Sequence, residues 1–216
     1  MLNLMAIFWT SFAVALSGAI MPGPLLTVTI SESARRGVWA GPQLIAGHAI
    51  LEFGMVIILL MGVGPLLQSD RAFIIIAFAG AAVMMWIAAG MFRSLPVVTL
   101  LSVSEQEEVA HPVLAGFMMS LVNPYWVVWW AAIGLGYVTY SMKFGITGIF
   151  CFFTGHILAD MSWYTLVSIS ISKGKRFMND IAYRIIIGVC ASVIAGFALW
   201  FVYSGIHRMN LINHLL

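Results

Sequence analysis

The sequence predicts an all-α polytopic membrane protein: six transmembrane helices in two inverted three-helix repeats, with the first and fourth helices broken. Three observations predict it. Hydrophobic residues make up 62% of the 216-residue chain and charged residues only 8%, against about 25% charged in a soluble domain. The charges cluster and leave long spans without them. And Gly47-His48-Ala49-Ile50-Leu51-Glu52 reappears as Gly155-His156-Ile157-Leu158-Ala159-Asp160, a shift of 108, half the chain length.

A transmembrane helix needs about 20 apolar residues. The candidate spans run from about Leu4 to Ile30, Gly37 to Leu66, Ala72 to Phe92, Val113 to Tyr140, Phe144 to Ile171 and Ile181 to Ile206. The polar stretch from Arg93 to Pro112 carries Ser102, Ser104, Glu105, Gln106, Glu107 and Glu108. It reads as a linker. The chain is thus one transmembrane domain: repeat one over about 1–95, a linker over about 96–112 and repeat two over about 113–216. The same shift pairs Arg35 with Lys143, Gly37 with Gly145, and Gly80 with Gly188. A unit of three spans followed by its copy enters the membrane from the opposite side, so the repeats are expected to be inverted.

Orientation follows from Lys and Arg. Arg35, Arg36, Arg93, Lys173, Lys175, Arg176 and Arg184 flank the loops after spans one, three and five, and Arg71, Lys143 and Arg208 lie on the other side. Seven against three places the first set in the cytoplasm and both termini outside. The first apolar run has no basic residue before Arg35, so it reads as a retained helix rather than a signal peptide. A net charge of +2 gives no reason to expect nucleic acid. Cys151 and Cys190 both fall in apolar runs, outside any C-x-x-C motif, and read as structural thiols.

Two kinds of feature carry chemistry. The first is a pair of helix breaks. Met21-Pro22-Gly23-Pro24 interrupts span one and Asn123-Pro124 interrupts span four. Proline removes a backbone donor, and a half-helix that begins at such a break presents free N–H groups and a positive dipole end suited to a carboxylate. Paired breaks in corresponding helices point to the binding site of a transporter. The second feature is the ionisable pairs. His48 and Glu52 are four apart and share one helix face, as do His156 and Asp160. Such groups are costly in lipid and are expected to face a cavity or a partner. Related by the repeat, the four could meet and hold protons or a substrate ammonium group. Pro22, Gly23, Pro24, Glu52, Asn123, Pro124 and Asp160 are therefore the expected substrate-binding set, and His48, Glu52, His156 and Asp160 the expected proton-coupling set.

Trp126, Trp129 and Trp130 read first as an aromatic belt or packing. Trp163 and Tyr164 sit close to Asp160 in sequence. Gly80, Gly90, Gly188 and Gly196 are expected to allow close helix packing, which also permits a homodimer. No P-loop, zinc-protease helix or nucleophile elbow occurs, so neither enzyme activity nor a cofactor is expected.

Gly18-Ala19-Ile20-Met21-Pro22-Gly23-Pro24, then Arg35-Arg36-Gly37-Val38-Trp39-Ala40-Gly41, then Gly47, resembles the signature of the LysE/RhtB family of amino-acid exporters. Asn123-Pro124 resembles the family's N-P motif opening the second half. The resemblance covers nearly the whole chain. It implies a small multi-pass exporter of the bacterial cytoplasmic membrane that moves amino acids or close analogues, driven by the proton or ion gradient. It also implies a central site at Pro22, Gly23, Pro24, Asn123 and Pro124, with Glu52 at the family's acidic position. Leu51 stands where many members have a second glycine, and Tyr125-Trp126 where many have a phenylalanine-rich N-P-K stretch. Two alternatives remain at this point. One is a divalent transition-metal exporter that uses His48, Glu52, His156 and Asp160 as ligands. The other is a membrane thiol-redox protein that uses Cys151 and Cys190.

Overall fold

A computed structural model describes residues 2–99, 111–177 and 179–215; the acidic heart of the linker, Ser102 to Glu108, lies outside them. Every regular element among the described residues is helical. In chain order they are α1 (Leu2–Ala19), α2 (Pro24–Arg36), α3 (Ala40–Leu60), the short α4 (Gly64–Leu67), α5 (Asp70–Ser94), α6 (Pro112–Leu121) and α7 (Pro124–Trp129). A wide π turn over Trp130–Gly134 then leads into α8 (Leu135–Met142), followed by α9 (Gly145–Gly174) and α10 (Asp180–Leu215).

Local chemistry sets the boundaries. Pro24, Pro112 and Pro124 each stand at the start of a helix, where the missing N–H costs nothing. Asn123 caps α7 by accepting from the Tyr125 N–H at 3.1 Å, and Ser69 caps α5 by accepting from Ala72 at 3.2 Å. Gly37 and Gly145 hold φ of 84° and 63°, in the left-handed region that favours glycine. They are repeat partners, and each makes the bend that admits the second helix of its half.

Five helices are long and apolar enough to cross a membrane alone: α1, α3, α5, α9 and α10. α6 together with Pro124–Met142, bent by 65° at the Asn123-Pro124 break, makes a sixth candidate when the bent pair is counted as one span. Span one carries the break that the sequence expects within about 4–30: α1 ends at Ala19, and is long and apolar enough to cross a membrane by itself. The chain is then non-helical through Pro22 and Gly23, and α2 begins at Pro24 as a separate helix. The reason is composition. Past the break, Thr27, Thr29, Ser31, Glu32, Ser33, Arg35 and Arg36 make α2 amphipathic, so it packs on its neighbours rather than extending a lipid-facing span.

The main helix pairs are α5 with α10, α1 with α9, and α3 with α6, while α2 lies against α9, α3 and α6. The second helix of each half therefore packs on the first helix of the other half. Glycine makes both crossings close: a Cβ at Gly47 would run into the Val113 carbonyl of α6, and one at Gly155 into the Phe8 carbonyl of α1. Gly80 likewise receives the Pro124 ring, whereas a Cβ at Gly90 or Gly196 would meet open space. The expectation of close packing thus holds at Gly80 and fails at Gly90 and Gly196. Around the core, Ile75, Trp86, Ile146, Phe150 and Ile185 are exposed, as lipid-facing side chains of a membrane bundle would be.

The basic residues gather at one end. Glu32 pairs with Arg35 at 2.7 Å and Arg36 at 2.6 Å. Lys175 donates to the Ala34 carbonyl at 2.9 Å, and Arg184 to Val98 at 2.9 Å. At the other end Arg208 pairs with Asp70 at 2.6 Å.

Candidate functional site

The centre of the bundle holds the four ionisable groups that the repeat singles out. α3 supplies His48 and Glu52, and α9 supplies His156 and Asp160, one turn apart in each case. Packing α9 across α3 brings the two pairs together. His48 Nε2 lies 3.1 Å from Glu52 Oε1 and 3.6 Å from Asp160 Oδ2. His156 Nε2 lies 3.0 Å from Glu52 Oε2 and 3.5 Å from Asp160 Oδ2. Each imidazole thus touches the carboxylate of its own helix and that of the other. All four residues are buried, Glu52 to 2% exposure and Asp160 to 5%.

The surroundings of the two pairs differ. Glu52 Oε1 accepts from the indole N–H of Trp126 and of Trp130, both at 3.1 Å. Those tryptophans are four apart, on α7 and the first residue of the π turn, and so present to one side. His48 Nδ1 lies 2.7 Å from Ser120 Oγ, whose hydroxyl also reaches the Gly116 carbonyl at 2.7 Å. The ring of His156 instead meets aromatic faces, with Trp129 at 4.8 Å, Trp130 at 5.6 Å and Phe152 at 5.9 Å between centroids. Its Nδ1 has no hydrogen-bond partner, Asp160 Oδ2 has none beyond the ion-pair distances of 3.5 and 3.6 Å to the imidazoles, and Glu52 Oε2 meets the His156 ring at 3.0 Å. A buried polar atom without a partner is costly in any fold. His156 Nδ1 and Asp160 Oδ2 are thus open to a further partner in the cavity.

The same cavity receives the helix breaks. Its lining includes all four ionisable residues together with Gly23, Asn123, Ser120, Tyr125, Trp126, Trp129 and Tyr164. The two breaks face each other, since a Cβ at Gly23 would lie 3.7 Å from Asn123 Nδ2. Gly23, at the head of α2, carries no side-chain cap, so the first amides of that helix are not served by a side chain of the preceding residue.

Of the expected substrate-binding set, Gly23, Glu52, Asn123 and Asp160 reach the cavity wall. Pro22, Pro24 and Pro124 do not belong to that wall; Pro24 and Pro124 start their helices, and Pro124 packs on Gly80. Tyr164 lines the cavity and Trp163 does not. Sequence reasoning missed Ser120 and gave Trp126 and Trp130 to packing. A signal for the tryptophans was available: a four-residue spacing, directly after a helix break, in the half opposite Glu52. Cys151 and Cys190 are unpaired and sit in separate apolar clusters, as the structural reading expects.

Comparison with known proteins agrees with this architecture. The family model of the LysE type translocator matches residues 16–205. The chain belongs to the LysE type translocator family. It is also 28% identical over 124 residues to an uncharacterized membrane protein of Pseudomonas aeruginosa, a match that covers 54% of this chain and 57% of that protein. No solved structure matches the chain.

Proposed function

We propose that the chain is a secondary active exporter of amino acids or close analogues in the bacterial cytoplasmic membrane, driven by the proton gradient. The observation that carries this reading is that one cavity is lined both by the helix breaks and by the buried carboxylates. The breaks offer the head of α2 at Gly23 and the capped turn at Asn123. The buried carboxylates are those of Glu52 and Asp160. A zwitterion matches both features: its carboxylate meets backbone N–H groups and a positive dipole end, and its ammonium meets the carboxylates.

His48, Glu52, His156 and Asp160 are the groups that take and release protons. A proton there changes the charge that the cavity offers to the ammonium group, which is what coupling requires. The doubled architecture supports inverted repeats that rock about this fixed centre between inward-open and outward-open states. The basic end around Arg35, Arg36 and Lys175 faces the cytoplasm under the positive-inside rule, with both termini outside.

Efflux of dipeptide-derived amino acids from cells that express the chain tests the reading, with Glu52→Gln as the control. Faster release of at least one amino acid, lost in the variant while membrane protein levels hold, is the expected result. Efflux unchanged from vector for every amino acid overturns it.

A further inference from the structure

We propose that His48, Glu52, His156 and Asp160 bind a divalent transition-metal ion of the zinc or cobalt kind. The geometry is close to what such an ion needs. Ligand bonds of about 2.0–2.2 Å in a tetrahedral site set neighbouring donor atoms roughly 3.3–3.5 Å apart. Here the two imidazole Nε2 atoms stand 3.1 and 3.2 Å from Glu52 Oε1, and 3.6 and 3.5 Å from Asp160 Oδ2. One donor atom from each of the four residues falls within 4.8 Å of all the others. To complete the tetrahedron, a separation of up to 4.8 Å would have to close by about 1.3 Å.

Three further features favour a metal over a purely internal network. Asp160 Oδ2 is a buried oxygen without a hydrogen bond, so ligation would satisfy it. Ser120 holds His48 Nδ1 at 2.7 Å, the outer contact that fixes a ligating imidazole with its other nitrogen free. Trp126 and Trp130 hold Glu52 Oε1, which fixes the carboxylate plane in the same way. Two carboxylates match the charge of a divalent ion. Two imidazoles among four donors select zinc, cobalt or nickel over magnesium and calcium, which take oxygen ligands in larger number.

A metal at this position would occupy the place of the substrate ammonium, so the two ligands exclude each other. The inference rests on the four ligands and stands apart from the identity of the cargo. The test therefore uses binding and not transport.

The full chain, purified in detergent, is titrated with Co2+. Stoichiometric binding with intense visible absorption of a tetrahedral ion, bleached by Zn2+, is expected. Asp160→Asn should abolish that spectrum. Ser120→Ala keeps all four ligands and should weaken affinity by about 10- to 100-fold while the spectrum stays tetrahedral. It therefore serves even if the ligand variant folds poorly. No stoichiometric Co2+ binding by monodisperse protein overturns the proposal. So does a weak octahedral spectrum, or an affinity unchanged by both substitutions. Amino-acid efflux without metal binding would retain the exporter and remove this site. Metal binding without amino-acid efflux would do the reverse.

Discussion

The two halves of this molecule carry the same G-H-x-x-x-acid motif in unlike surroundings. In the first half the motif is held from outside. Trp126 and Trp130 fix Glu52, and Ser120 fixes His48. In the second half His156 lies among aromatic rings with Nδ1 unpartnered, and Asp160 Oδ2 has no hydrogen bond. The holding groups all come from the opposite half, on α6, α7 and the π turn. The same motif thus supplies the chemical groups in both halves, and the packing shell sets how firmly each is held. We read the first-half pair as the fixed side of the site and the second-half pair as the side that answers to a ligand.

Substitution of the two acids tests that contrast most severely. Glu52→Gln should abolish efflux and also destabilise the protein by about 3 kcal/mol, because it strips one partner from a buried charged cluster. Asp160→Asn should abolish efflux with a smaller stability loss, about 1–2 kcal/mol, because Asp160 meets the two imidazoles only at 3.5 and 3.6 Å and has no holding group from α6 or α7. Thermal unfolding in detergent reads the difference. Equal losses in the two variants would end the distinction between a fixed and a responsive side.

The close crossings come next in size. Gly47→Leu and Gly155→Leu should each cost about 1–3 kcal/mol by overpacking against a neighbouring backbone. Matched losses would sharpen the equivalence of the α3–α6 and α1–α9 crossings. A neutral Gly155→Leu would break it. A smaller effect is expected at the cap: Asn123→Ala should cost about 1 kcal/mol through loss of the bond to Tyr125, and should raise the KM for efflux more than it lowers the maximal rate. Smallest of all, Cys151→Ser should leave efflux at the wild-type level, since that thiol is unpaired and lies outside the cavity wall. Lost activity there would revive the thiol-redox alternative.

The sequence by itself determined a great deal about this protein. Hydrophobicity and the scarcity of charge demanded membrane helices, because lipid offers no partner to a free backbone group. Proline at positions 22, 24 and 124 demanded breaks, because it cannot continue the backbone hydrogen bonds of a helix. The 108-residue shift marked His48, Glu52, His156 and Asp160, because a four-residue spacing puts two side chains on one helix face whatever the fold. These are local rules, and they are legible in order along the chain.

Only the tertiary structure decided the rest. Where α2 packs after the break depends on which neighbours accept its polar face, and these are α9, α3 and α6. That Trp126 and Trp130 serve Glu52 depends on how α7 docks against α3, across 74 and 78 residues of chain. A tryptophan in an apolar run looks alike whether it faces lipid or a buried carboxylate. The approach of two helices chooses between those fates, and that approach is fixed by small residues such as Gly47 and Gly155 together with the packing of the whole bundle.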